Sequence, residues 1–374
     1  MRVAGATVSA DAVVIGGGLA GSSVAIDLAQ AGRSVVLLEQ TVKPHDKVCG
    51  EFLSRETLHY LARLGVDVDA LGAVAIDRVR LVARTFQAEV ALPFAARSLT
   101  RRLLDEAMLQ RAQACGAQVM RGSYVTTLKS ECNLFAVGVR DAATERARCA
   151  VLATGKHDLH GARRSGGGHN DLVAFKMYYH LAAQQHAALA GSVELLLFQD
   201  GYAGLQQVEE GSANLCLLVT AARLRACGGR WDLLMEHMQS SSPALAHRLS
   251  GAVPLLDKPL ALSSIPYGFQ RSDASDGVWR VGDQAAVIPS FCGDGMAIAL
   301  HSAAHAAGAM LAGDSATRYQ QTLAQQLRPG MVLATSLSRQ LVRRPYVAQA
   351  LRVWPGLLAR IALATRVPQQ TMLQ

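Results

Sequence analysis

Three glycines and one acid carry the clearest chemistry in this chain. Gly16, Gly18 and Gly21 fall in the run VVIGGGLAG, and Glu39 ends RSVVLLE 18 residues after Gly21. Gly16 permits a tight turn, Gly18 lets backbone approach a pyrophosphate, and Gly21 lets a helix that begins at Leu19 and Ala20 pack close to a sheet. Phosphates then rest on the free N–H groups of the helix start. Glu39, with Gln40 beside it, accepts both ribose hydroxyls and repels a 2′-phosphate. The pattern points to an adenine dinucleotide of the NAD or FAD type and away from NADP.

These residues need a strand, turn, helix and second strand to hold them. Residues 11–15 read as a buried parallel strand, and 19–31 place Val24, Ala25, Leu28 and Ala29 at helical spacing before stopping at Gly32. Segments 79–83 and 88–92 read as a β-hairpin inserted before a helix over 100–115, which makes the nucleotide domain discontinuous. Strands are predicted at 118–119 and 136–139, and a buried strand over 147–155 ends on Gly155. Residues 157–170 are polar and glycine-rich, a crossing between domains in which Gly166–Gly168 is a flexible loop. Strand patterns return at 172–179, 193–198 and 214–219, followed by a helix over 231–238. VWRVGDQAAVI (278–288) reads as another buried strand, a small-residue helix runs from Gly295 to about Leu311, and the rest reads as helices broken at Pro329, Pro345 and Pro355.

Composition narrows the class. The 374 residues are 50% hydrophobic and 18% charged, enough to bury a large core. Seven cysteines include no CxxC pair and form an odd count, which fits reduced thiols in the cytosol and neither a disulfide framework nor zinc. His45, His59, His157 and His301 have no spacing that suggests a metal site, so no metal is expected. No targeting segment and no spanning helix are expected either. The formal charge of +8 comes from scattered arginines without a nucleic-acid motif, so no nucleic-acid partner is expected. Toward the C-terminus Arg339, Arg343, Arg344, Arg352, Arg360 and Arg366 interleave with apolar residues. That pattern suits a packed helical tail and leaves room for peripheral contact with an anionic membrane.

Four segments, in order, resemble the flavoprotein superfamily that contains geranylgeranyl reductases, para-hydroxybenzoate-hydroxylase-type (class A) monooxygenases and flavin-dependent halogenases. They are VVIGGGLAG with Glu39, KVCGEFLS (47–54), TRRLLD (100–105) and VGDQAAVIPSFCGDGMAIAL (281–300). The resemblance implies FAD, with Lys47, Cys49 and Gly50 on a segment that passes the flavin and Arg101 close to the cofactor. It also implies that Gly282 and Asp283 meet the ribitol and that Pro289, Gly293, Gly295 and Met296 form the turn at the ring. Physically, an ionised Asp283 at the end of a buried strand needs donors, which a polyol supplies, and the helix start at Met296 turns its positive end toward a reduced, anionic ring.

Some positions differ from the superfamily's patterns. ATGKHD (153–158) stands where monooxygenases carry a D-G pair, which leaves the electron donor open between NAD(P)H and a partner reductase. The WxWxIP segment of halogenases is absent. DGYAGL (200–205) keeps the tyrosine of the reductase pattern as Tyr202 but has Gly204 in place of a tryptophan, and SSIPYGF (263–269) resembles a strand returning over the flavin, with Pro266 and Tyr267 near the ring. Cys49, Tyr202, Pro266 and Tyr267 are thus the candidates beside the reacting atoms, and Cys49 and Cys292 also suit plain packing.

The expected fold is α/β (α+β): a Rossmann-type FAD-binding domain (1–75, 97–165 and 275–315), an inserted antiparallel-sheet substrate domain (76–96 and 166–274) and a helical C-terminal region (316–374). The expected activity is FAD-dependent oxidoreduction of a hydrophobic small molecule, with monooxygenation of an aromatic, polyketide or isoprenoid-like substrate foremost. Reduction of carbon–carbon double bonds in a prenyl or polyketide lipid is the alternative, and a non-catalytic lipid carrier on the same fold is the alternative of another class. The expected location is the cytoplasm, with membrane association left open.

Overall fold

The computed structural model describes residues 10–83, 86–131, 133–161, 164, 171–343 and 355–373. The first part of the chain runs β1 (Ala10–Ile15), α1 (Leu19–Gln30), β2 (Val35–Glu39), β3 (Phe52–Leu53), α2 (Arg55–Arg63), β4 (Val74–Ala83), β5 (Phe86–Ser98), α3 (Arg101–Ala114), β6 (Gln118–Arg121), β7 (Val125–Glu131), β8 (Leu134–Val139) and β9 (Glu145–Leu152). The middle adds β10 (Leu172–His180), α4 (Ala183–Leu189), β11 (Ser192–Phe198), β12 (Gly201–Gln207), β13 (Ala213–Thr220), α5 (Ala221–Ala226), α6 (Trp231–Ser241), α7 (Pro243–Arg248), β14 (Val253–Pro254) and β15 (Leu260–Leu262). The chain closes with β16 (Trp279–Arg280), α8 (Gly295–Leu311), α9 (Ala316–Arg343) and α10 (Pro355–Ala364).

One sheet has the order β6-β2-β1-β9-β8-β7, with β16 also on β9. Strand β1 is apolar on both faces and lies between β2 and β9, parallel to each, as a strand covered from both sides should. Its even positions, Ala12 and Val14, join α1, α3 and α8 in one core, and Val13 and Ile15 face a second core with Val137 and Val139 of β8. This is the Rossmann-type unit.

The other sheet runs β14-β10-β13-β12-β11-β4-β5-β3, with β15 on β10. Its neighbours are antiparallel except β11 on β4, which the chain reaches by a long crossover. The β4–β5 hairpin extends well beyond 79–83 and 88–92, because alternating exposure continues along both strands and Arg80 of β4 pairs with Glu89 of β5 at 2.7 Å.

Several expectations change. Of 278–288 only Trp279–Arg280 is strand; Gly282 takes φ 60° and turns Gly282–Gln284 into a 3₁₀ turn, so Asp283 sits in a turn rather than at a strand end. The strand predicted to reach Gly155 stops at Leu152. Tyr267 forms no returning strand, since 263–266 are irregular. Helix α9 runs through Pro329: the proline and Gln325, whose carbonyl loses its donor, are both exposed, while Leu323, Leu327, Met331, Ala334 and Val342 keep the helix packed. Pro355 starts α10 rather than breaking a helix, and Pro345 and Gly166–Gly168 lie outside the described residues. Arg366 departs from the expected basic face, being buried by a contact described below. No helix among the described residues is long and apolar enough to cross a membrane.

Candidate functional site

A cavity of about 1310 Å³ runs from the first sheet's carboxyl edge to the inner face of the second sheet. At its first end, β1 delivers Gly16 at φ 106°, where a Cβ would stand 2.5 Å from the Ala153 carbonyl oxygen. Helix α1 follows with no side chain capping its start at Gly18. The open side of Gly18 faces Arg101 and Lys47, each 3.7 Å from where a Cβ would be. An uncapped helix start under two cations suits a pyrophosphate. Gly16, Gly18, Leu19 and Ala20 line the cavity, whereas Gly21 lies behind the wall with its Cα packed against the Gly16 carbonyl.

Glu39 and Gln40 line the same end. Glu39 Oε2 accepts from the Gly17 N–H at 2.7 Å, and Oε1 accepts from the Thr41 N–H at 2.9 Å and the Thr41 hydroxyl at 2.7 Å. Burial would raise its pKa, but these bonds and the Lys47 charge outweigh it and hold the carboxyl below its usual range. Glu39 is therefore an anion that still has lone pairs for ribose hydroxyls. Ser123, Tyr124 and Thr126, at the β6–β7 turn and the start of β7, complete this end and were not singled out by sequence.

Asp105 ties the two cations together. Its Oδ1 accepts from Arg101 Nε at 2.8 Å, and its Oδ2 from Arg101 Nη2 at 2.9 Å and Lys47 Nζ at 2.7 Å. Burial opposes its ionisation, yet Arg101 and Lys47 keep its pKa low. The residue stands in TRRLLD, and its i,i+4 spacing from Arg101 on α3 was the available signal.

At the middle of the cavity, Gly155, Gly282 and Asp283 meet. Asp283 Oδ2 lies 3.3 Å from Lys156 Nζ, and Gln284 Nε2 donates to the Gly155 carbonyl at 2.9 Å, fixing the two turns together. Gly293, Gly295 and Met296 bring the start of α8 to the wall; Pro289 stands outside it. Asp294 is buried beneath this turn, accepting from Arg366 Nη1 at 3.2 Å and the Val367 N–H at 3.0 Å, and Arg366 Nη2 donates to the Cys292 carbonyl at 3.0 Å. Burial raises the Asp294 pKa to about 6 despite Arg366. The C-terminal segment thus clamps the turn, and Thr365 and Arg366 themselves line the cavity.

Cys49, Gly50, Tyr202 and Tyr267 also line the cavity, and Pro266 does not. Tyr267 Oη lies 2.5 Å from Ser290 Oγ. The buried Tyr202 hydroxyl has no hydrogen-bond partner among the described residues, and its ring meets Phe291 edge-on with centroids 6.1 Å apart. Burial drives the Cys292 thiol upward, so it is a packing residue rather than a thiolate. The far wall comes from the second sheet: Val79, Leu81, Val193, Leu195 and Leu218, with Leu341 of α9.

Residues 9–154 match the family described as an FAD binding domain. The chain is 25% identical over 352 residues to the menaquinone reductase of Mycobacterium tuberculosis, covering 88% of this chain and 83% of that protein. It is 42% identical to the squalene epoxidase erg1 of Aspergillus fumigatus over only 57 residues, 15% of this chain and 12% of that protein. Its fold is similar to that of the flavin-dependent brominase Bmp2, with a TM-score of 0.82 at 17% identity over 97% of this chain and 96% of that one.

Proposed function

Starting from an FAD-dependent oxidoreductase of the class A flavoprotein monooxygenase-like superfamily, we propose that this chain reduces a carbon–carbon double bond in a hydrophobic, prenyl-bearing substrate of the quinone type. The carrying observation is the cavity itself. Ligand pockets usually measure about 300–1,000 Å³, and one of about 1310 Å³ has room for a cofactor and a substrate together. The uncapped α1 start, Lys47, Arg101, Glu39 and Asp283 suit FAD; the aliphatic wall of Val79, Leu81, Val193, Leu195 and Leu218 suits a hydrocarbon chain.

When bound, FAD supplies the two-electron chemistry. The chain's own residues do the rest: the cations bind the diphosphate, the turn at Gly293–Met296 orients the ring end, and the aliphatic wall holds substrate and excludes water. The likeness to a menaquinone reductase over 88% of this chain and 83% of that protein supports this reading. A second reading, insertion of one oxygen atom, draws on the short likeness to a squalene epoxidase.

The test is anaerobic. FAD-loaded protein, photoreduced and mixed with menaquinone in detergent micelles, is expected to yield a product that, once its ring is reoxidised to the quinone, is still heavier by two hydrogens, carried in the prenyl chain. Product that forms only in air and carries one added oxygen would replace this reading with the second.

A further inference from the structure

Glu51 is an unusual wall residue. It is fully buried, holds the left-handed backbone at φ 60°, and lines the cavity between Cys49 and Phe52. Such strain in a residue other than glycine persists only where the surroundings fix it, and it concentrates at functional sites. Glu51 Oε1 accepts from the Arg101 N–H at 2.8 Å, from Tyr178 Oη at 2.8 Å and from Lys176 Nζ at 2.5 Å. Oε2 is buried and has no hydrogen-bond partner among the described residues.

Lys176 is equally buried, in the middle of β10, and its second bond goes to the Lys47 carbonyl at 3.1 Å. A buried ion pair is seldom a gain over apolar residues of the same size, so stability alone does not account for it. Tyr178 adds the decisive geometry. Its hydroxyl reaches Glu51 on one side and Asp46 Oδ1 at 3.2 Å on the other, and Asp46 is half-buried at the cavity rim, with Arg102 Nε 4.0 Å away. A hydroxyl has a single proton, so it can bridge two carboxyl groups fully only when one of them is protonated.

We propose that Glu51 delivers a proton to the substrate in the cavity and is reprotonated from the Asp46 side through the Tyr178 hydroxyl. This rests on the double-bond reduction proposed above. The double bond gains two hydrogens: two electrons and one hydrogen come from the reduced cofactor, and the Glu51 O–H bond breaks as the second C–H bond forms. The carboxylate then takes the Tyr178 proton while that oxygen takes one from Asp46, which exchanges with water. Burial pushes the Glu51 pKa up and the Lys176 charge pulls it down, with burial the larger effect. The other polar groups facing the cluster are Lys47, Arg101, Arg102 and Cys216.

Two variants test it, Glu51→Gln, which keeps the volume, and Tyr178→Phe, which removes a hydroxyl outside the cavity wall and leaves Lys176 paired. In FAD-loaded protein, the infrared difference between oxidised and photoreduced states is expected to show a carboxylic-acid carbonyl band that shifts in D₂O. It should vanish in Glu51→Gln and move in Tyr178→Phe, because charge gained in the cavity changes a neighbouring carboxyl's proton affinity. With menaquinone in micelles, both variants should reduce substrate at least tenfold more slowly with FAD affinity unchanged, and Tyr178→Phe should show an enlarged solvent isotope effect. A band that is absent in the wild type or survives in Glu51→Gln, or a Tyr178→Phe rate equal to wild type, overturns the relay. If the band behaves as expected but no prenyl double bond of menaquinone is reduced, the relay stands and the substrate reading falls.

Discussion

At the scale of residues, the site rests on charges that balance one another across long stretches of sequence. Lys47 and Arg101 share Asp105, so either cation can be removed without stranding the other. Hydrogen bonds to charged groups are worth roughly 1.5–3 kcal/mol. Lys47→Met is therefore expected to weaken FAD binding by about tenfold, and Arg101→Met by about ten- to a hundredfold, in a flavin-fluorescence titration; unchanged affinity in both would remove the diphosphate assignment. Asp294 gives a pH signature. Its folded pKa of about 6 stands above the ordinary 3.8, so its contribution to stability is full below 3.8 and is lost as pH rises through about 6. Asp294→Asn removes that slope, and its melting temperature relative to wild type should rise between pH 4 and 7; a constant difference would contradict the assigned burial effect. Glu51 and Lys176 were not identified from sequence because their partners lie up to 129 residues away. Lys176 did leave one trace, a lone charge inside the apolar strand LVAFKMYYH.

Elements with local codes were readable, and those fixed by packing were not. Helix α1 and helix α8 follow from a glycine turn and a run of small residues, and both bounds came directly from spacing. Strand β12 escaped because Gly201 and Gly204 dilute its pattern, although it lies between β11 and β13 in the sheet. Pro329 misled in the opposite direction: a helix-breaking residue was overridden by the buried face on either side of it. An interior proline costs about 3 kcal/mol in a helix, partly offset by about 1 kcal/mol of unfolded-chain entropy. Pro329→Ala should accordingly stabilise the protein by about 2 kcal/mol in urea unfolding, and a destabilised variant would show that the exposed kink is required for packing.

For the whole molecule, the division of labour follows from what each sheet can offer. A parallel sheet feeds glycine turns and helix starts to one edge, which suits a charged dinucleotide; a largely antiparallel sheet offers a broad, mainly aliphatic face to the cavity. The glycine turn and the 281–300 segment were visible in sequence because each is contiguous. The cavity joining them was not, since its walls are assembled from β4, β11, β13, α8 and the C-terminal segment, which meet only in the folded chain. The most direct test is a crystal structure of the FAD-loaded protein. The adenosine ribose is expected at Glu39, the ribityl chain at Asp283 and the isoalloxazine ring turned toward Leu195 and Leu218. A cofactor whose ring faces solvent, or an Asp283 carboxylate directed away from the ribityl chain, would contradict this placement.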